Sequence, residues 1–263
     1  MEKEKNTKIL CWNVNGIRAW SKKGCLEWVL TEKPDIFCFQ ETKAHPEQLE
    51  ESLRNIPGYF AYFDHSKVKK GYSGVVVYTK EKPKKVDTDL YVNGSIDQEG
   101  SFLVLYFSNF VLINCYFPNG GGEPHRLEYK LNFYKAFEKY ILVLKNSGLK
   151  VIFCGDINVA HTEIDIARPK ENSNHVGFLP VERDWLSGLL DKGFIDSFRY
   201  FNPGLLNQYT WWDVKSGARN RNIGWRIDYV IVDESLKKNI VETKIYSEIY
   251  GSDHCPISIT VKI

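Results

Sequence analysis

An apolar run that stops on two polar residues with a single residue between them is the most constraining feature of this sequence: Val151-Ile152-Phe153-Cys154-Gly155, then Asp156, Ile157 and Asn158. A strand apolar at consecutive positions is covered on both faces, which calls for a sheet with layers on either side. Side chains two apart on an extended chain project to the same side, so Asp156 and Asn158 point together beyond the strand end. A carboxylate beside an amide suits a hydrated cation or a phosphoryl oxygen. The competing reading is an Asx turn that closes the strand.

The arrangement recurs. The strand from Lys8 delivers Asn13 and Asn15, that from Asp35 ends on Gln40 and Glu41, and the strand ending Asn114-Cys115-Tyr116-Phe117-Pro118-Asn119 delivers Tyr116 and Asn119. Cys11-Trp12-Asn13-Val14-Asn15 echoes Cys154-Gly155-Asp156-Ile157-Asn158, which suggests two similar halves, each with a sheet, facing one another.

Apolar spacing predicts helices over 22–32 (Leu26, Val29 and Leu30 inward), 46–55, 123–146 (Leu127, Leu131, Tyr134, Phe137, Ile141 and Leu144 inward) and 181–192 (Trp185 and Leu189 inward). Further strands are expected over 59–64, 74–79, a hairpin of 102–107 and 110–117, 227–232, and from 257 onward. The long helix joins two polar-ended strands as a crossover does between parallel neighbours. Residues 163–177 read as a polar loop.

A chain of 263 residues fits one large α/β domain, and no stretch resembles a linker, so one domain over 1–263 is expected, with 1–7 a flexible N-terminus. A net charge of +2 leaves any nucleic-acid contact to a local patch. The six cysteines show no C-x-x-C spacing and favour a reducing compartment without a disulfide-linked partner. The charged start lacks the apolar core of a signal peptide, and no segment approaches the roughly 20 apolar residues of a membrane span. A monomer in the cytoplasm, or in the nucleus of a eukaryote, is the expectation.

Two stretches suit a phosphate backbone. One is the basic loop with Lys67, Lys69, Lys70, Gly71, Tyr72 and Ser73. The other is the aromatic cluster Tyr209-Thr210-Trp211-Trp212 with Arg219, Arg221, Asn222 and Trp225, where ring faces and guanidinium groups lie close in sequence. Trp212 is assigned to the core, Arg219 and Arg221 to contact. Asp228, alone in an apolar strand, needs a partner, and His254 of Gly251-Ser252-Asp253-His254 is the expected one; a carboxylate there fixes the imidazole tautomer and favours its charged form. Carboxylates and amides without cysteine favour a hard cation, Mg²⁺ with Mn²⁺ as substitute, and metal-assisted phosphodiester hydrolysis accommodates every part.

Trp12-Asn13-Val14-Asn15-Gly16-Ile17-Arg18-Ala19, Gln40-Glu41-Thr42-Lys43, Gly71-Tyr72-Ser73-Gly74, Tyr116-Phe117-Pro118-Asn119, Gly155-Asp156-Ile157-Asn158-Val159-Ala160-His161, Gly224-Trp225-Arg226-Ile227-Asp228-Tyr229 and Gly251-Ser252-Asp253-His254-Cys255-Pro256-Ile257 together resemble the exonuclease III family of apurinic/apyrimidinic endonucleases. The resemblance implies a four-layer α/β sandwich, two packed mixed β-sheets flanked by helices, and incision of duplex DNA 5′ to an abasic site, with 3′-5′ exonuclease and 3′-end trimming. It makes Glu41 the principal metal ligand, with Asn13, Asn15 and Asp253 around the ion and Asp156 and Asn158 bordering it. Asp156 handles the attacking water, Asn158 and Tyr116 hold the phosphate, and His254, oriented by Asp228, meets its developing charge. Lys70, Gly71, Tyr72, Asn119, Arg219 and Asn222 are implied DNA contacts, and Trp211 and Trp225 wall the pocket for the extruded sugar. Asn15 stands where some relatives have Asp, Gly122 and Lys215 where some place a wedging Arg and Met, and His175 lies near the pocket. Similar archaeal stretches around Arg168-Pro169-Lys170 imply nicking at deoxyuridine as an added activity. A phospholipid or inositol phosphate substrate, and a catalytically inert DNA-binding module, are the alternative readings.

Overall fold

The computed structural model describes residues 5–263. Twelve strands form two six-stranded mixed sheets. In chain order they are β1 (Asn6–Asn13), β2 (Ile36–Gln40), β3 (Phe60–Asp64), β4 (Val75–Thr79), β5 (Lys85–Asp87), β6 (Phe102–Tyr106), β7 (Val111–Tyr116), β8 (Val151–Asp156), β9 (Phe194–Asp196), β10 (Asp228–Asp233), β11 (Ile240–Ile245) and β12 (Ile257–Lys262). The first sheet runs β11-β12-β1-β2-β4-β3 and the second β9-β10-β8-β7-β6-β5. β1 is parallel to β2, and β8 to β7, the latter pair connected as expected through a long helix, α4.

Helices α1 (Ile17–Ser21), α2 (Cys25–Thr31) and α3 (Glu51–Arg54) lie on the first sheet; α4 (Pro124–Asn146) and α6 (Pro180–Leu190) lie on the second, with the short α5 (Pro169–Asn172) and α7 (Ser197–Phe201) between later strands. The four-layer sandwich expected from the resemblance is the architecture found. Strands apolar on both faces are required because each sheet meets the other sheet on one side and helices on the other. Ile9, Cys11, Val75, Val77, Leu103, Leu105, Leu112, Ile152 and Val230 fill the space between sheets. At about 1.5–3 kcal/mol for each fully buried aliphatic side chain, this layer and the two helix-facing layers together supply the main driving force. A buried polar cluster crosses it: Gln40 Nε2 donates to Asn114 Oδ1 at 2.6 Å, and Asn114 Nδ2 reaches the Phe39 and Val76 carbonyls. Gln40 therefore ties the sheets together.

Several local expectations change. The helix expected over 22–32 is the shorter α2, Cys25–Thr31, preceded by a turn through the left-handed Gly24 that separates it from α1, and Leu30 is exposed. The stretch 46–55 splits into a 3₁₀ turn and α3. On α4 the inward stripe takes Lys130 in place of the half-buried Leu131, because 130, 134, 137, 141 and 144 share one face. Of the expected flexible terminus, residues 1–4 lie outside the described residues, whereas Asn6 and Thr7 already pair with Lys262 and Val261. Among the described residues no helix is long and apolar enough to cross a membrane.

Candidate active site

Strand register brings the polar ends together. Asp156 is the parallel partner of Tyr116 and the antiparallel partner of Asp228. Gly155 makes this spacing available: a Cβ there would sit 1.8 Å from the Cys115 carbonyl oxygen. Across the gap, β1 and β2 end on Asn13 and Gln40, after which Glu41 turns into the cleft. Asn15, Glu41, Lys43 and Asn158 all have positive φ, at 44°, 49°, 50° and 56°. Such conformations are unfavourable for side-chain-bearing residues, and here they cluster where the strands leave the sheets.

His254 occupies the centre. Its Nδ1 lies 2.8 Å from Asp228 Oδ2 and its Nε2 3.7 Å from Asp156 Oδ2. Burial alone would pull its pKa down, but Asp228 and Asp156 outweigh that and hold the imidazole well above its ordinary value. Thr210 Oγ1 accepts the backbone N–H of Ile227 and Asp228, fixing the backbone from which the Asp228 side chain extends. Asp156 is pushed up, first by burial and then by Asp228 and Glu41, with His254 opposing. Tyr116 is raised well above its ordinary value by burial and by Glu41 and Asp156, so it stays an O–H donor.

Asn13 Nδ2 bridges Glu41 Oε1 and Asp156 Oδ2 at 2.9 Å each. One ligand atom each from Glu41, Asp156 and His254 lies within 4.8 Å of the others. The oxygen donors there fit a hard divalent cation. His254 held cationic has no free lone pair, so the carboxylates of Glu41 and Asp156 are the cation-binding part of that group. Asn15 and Asp253 stand to one side, joined by Asn15 Nδ2 to Asp253 Oδ1 at 2.9 Å, while Asp253 Oδ2 accepts from Trp211 Nε1 at 3.1 Å. Burial opposes ionisation of Asp253, yet His254 and these donors leave its pKa lowered. Asn158 Nδ2 donates to the Phe117 carbonyl at 2.9 Å, and Asn119 approaches its Oδ1 at 3.5 Å.

Of these groups Glu41, Tyr116, Asn119, Asp156, Asn158, Asp253 and His254 line a cleft of about 650 Å³, together with Trp211, Trp225, Asn174, His175 and Gly177. Trp211 and Trp225 meet edge to face at 6.1 Å. The remaining expected contacts are placed differently. Lys70 and Gly71 are exposed on the β3–β4 loop, whereas the Tyr72 hydroxyl is held by Glu99 and Arg126. Arg219 donates to the carbonyls of Ser247, Ile249 and Ser252 and stacks on Trp212 and Tyr250, so it braces the loop before Asp253. Asn222 accepts from Trp212 Nε1 and donates to the Asn207 carbonyl. Gly122 and Lys215 are exposed.

Sequence reasoning passed over two basic residues. Lys43 Nζ is 2.8 Å from Glu41 Oε2 and also donates to Asn15 Oδ1, within the cation site itself. Its place two residues after Glu41 was the available signal. Lys130 donates to the Asn158 carbonyl at 2.7 Å, and its position on the apolar face of α4 marked it.

The model of the Endonuclease/Exonuclease/phosphatase family matches residues 10–254. The chain is 42% identical over 257 residues to an exodeoxyribonuclease of Bacillus subtilis, covering 97% of this chain and 100% of that protein. It is 43% identical over 263 residues to Recombination repair protein 1 of Drosophila melanogaster, covering 100% of this chain but 38% of that longer protein. Among solved structures, an AP endonuclease from Archaeoglobus fulgidus superposes with a TM-score of 0.86 at 28% identity, covering 98% of this chain and 100% of that one.

Proposed function

The chain belongs to the endonuclease/exonuclease/phosphatase family, and on that premise we propose that it hydrolyses the phosphodiester 5′ to an abasic site in duplex DNA with Mg²⁺ as the working cation. It is a DNA repair nuclease. Removal of nucleotides and blocking groups from 3′ ends belongs to the same proposal, because a terminal phosphodiester presents the same reacting atoms to the same groups.

The observation that carries this reading is the Asp156–His254–Asp228 row facing Glu41 at the mouth of an aromatic-walled cleft. Asp156, with its raised pKa, orients a water molecule and takes its proton. Asn158 and Tyr116 donate to the phosphate and set its angle of approach. His254, cationic between two carboxylates, faces the charge that grows on the phosphoryl oxygens, and Asp228 keeps its ring in place. Glu41 and Asp156, with Asn13 bridging them, would hold the divalent cation. When bound, that ion polarises the phosphoryl oxygen and stabilises the leaving oxyanion. The walls formed by Trp211 and Trp225 fit a sugar that has no base to unstack.

A duplex carrying one internal abasic analogue is expected to be nicked in Mg²⁺ and spared in EDTA, with Asp156→Asn and His254→Asn each lowering kcat by roughly 100-fold or more. Intact duplex after prolonged incubation with the wild-type protein would overturn the proposal. Undamaged, deoxyuridine-containing and 3′-recessed duplexes in the same assay rank the accompanying activities.

A further inference from the structure

Lys130 on α4 and Glu182 on α6 form an ion pair with neither side chain exposed. Lys130 Nζ donates to Glu182 Oε1 at 2.5 Å and to the Asn158 carbonyl at 2.7 Å. Glu182 Oε2 accepts the backbone N–H of Gly177 at 2.6 Å and of Leu179 at 3.0 Å. The Gly177 carbonyl accepts in turn from Ala160 N at 2.8 Å. Two adjoining backbone segments that both line the cleft, one carrying Asn158 and one carrying Gly177, are thus held by a single buried pair.

Asn158 has φ 56°, in the left-handed region. A donor that fixes its carbonyl fixes the peptide plane and hence the direction of its side chain. The wall presses on the same point, since a Cβ at Gly177 would lie 3.2 Å from the Asn158 carbonyl oxygen and 3.0 Å from the Trp225 ring. Buried ion pairs are often replaceable by apolar residues of similar volume without loss of stability, so stability alone does not account for this one.

We propose that Lys130 and Glu182 are positioning residues for the nuclease reaction: Lys130 holds Asn158 in the conformation that presents its amide to the scissile phosphate, and Glu182 carries the same constraint to the Gly177 wall. This rests on the role given to Asn158 above. The double variant Lys130→Met/Glu182→Leu removes both charges at similar volume, and Lys130→Arg retains a donor. The double variant is expected to unfold at a midpoint near that of the wild type, with kcat on abasic duplex lowered roughly 10- to 100-fold and KM little changed. Lys130→Arg is expected to keep most of the activity. Amide hydrogen exchange of the metal-free double variant is expected to quicken over 157–160 and 176–179, a readout independent of activity. Wild-type kcat in a folded double variant, or unchanged exchange in both segments, overturns the inference. A wild-type protein that fails to nick overturns the proposed function instead, and the exchange measurement still decides the clamp.

Discussion

Asp156 and Asp228 are direct register partners across β8 and β10, and the His254 ring lies between their carboxylates, Nδ1 2.8 Å from Asp228 and Nε2 3.7 Å from Asp156. Two acids this close raise the pKa of the imidazole between them, and the imidazole in turn opposes the rise at Asp156.

Asp228→Asn removes the carboxylate that contributes most to keeping His254 charged. The variant is expected to lose roughly 100-fold in kcat, with the alkaline limb of its pH–rate profile moved to lower pH. Steady-state rates on abasic duplex across the pH range check this; an unmoved limb would contradict a cationic role for His254.

Without metal, the site favours bound protons in the folded state. Asp156 has a raised pKa, so it costs stability as pH rises above the ordinary carboxylate range, where the unfolded chain is already ionised. His254 is also raised, so its contribution is complete below its ordinary pKa of about 6.5 and is lost as pH climbs toward the folded value. Both slopes have the same sign, at up to about 1.4 kcal/mol per pH unit for each proton. Above the ordinary carboxylate range these two groups therefore lower stability as pH rises, and in urea denaturation with EDTA Asp156→Asn should flatten that slope and stabilise the protein above neutrality. A destabilised Asp156→Asn variant at alkaline pH would refute this.

Lys43 places an ammonium on Glu41 and Asn15, two residues expected around the cation. Its removal in Lys43→Met relieves like-charge repulsion at the site, and Mn²⁺ is expected to bind roughly tenfold more tightly. Isothermal titration of the DNA-free protein measures this directly, and weaker binding would show that the ammonium supports the site.

Arg226 is buried, with Nε 2.7 Å from Asp165 and a terminal nitrogen 2.6 Å from Asp196, and Arg199 completes the network on Asp165. Arg226→Met leaves acids buried with fewer cations. A loss of about 3–5 kcal/mol in unfolding free energy is expected, read by urea denaturation at neutral pH. A change near zero would mean that Arg199 alone can neutralise Asp165.

Much of the architecture was legible because buried strands declare themselves: β1, β2, β7, β8 and β10 are apolar runs with polar ends, and their period places Asn13, Asp156 and Asp228 on predictable sides. The Asp228–His254 partnership was legible by the same logic, since an acid inside an apolar strand needs a counterpart.

Tertiary structure alone decided which polar groups share a partner. Arg219 and Asn222, expected from sequence as DNA contacts, are in the structure also bonded to the loop before Asp253, the Trp212 indole and the Asn207 carbonyl. Gln40, at the polar end of its strand, bridges the sheets, while Lys130, on the apolar face of α4, reaches Asn158 through the core. Chain order records the side from which a residue leaves its own strand or helix. Partners such as Lys130 and Asn158, or Arg219 and Ile249, lie on different elements, and their distances exist only once the layers have packed.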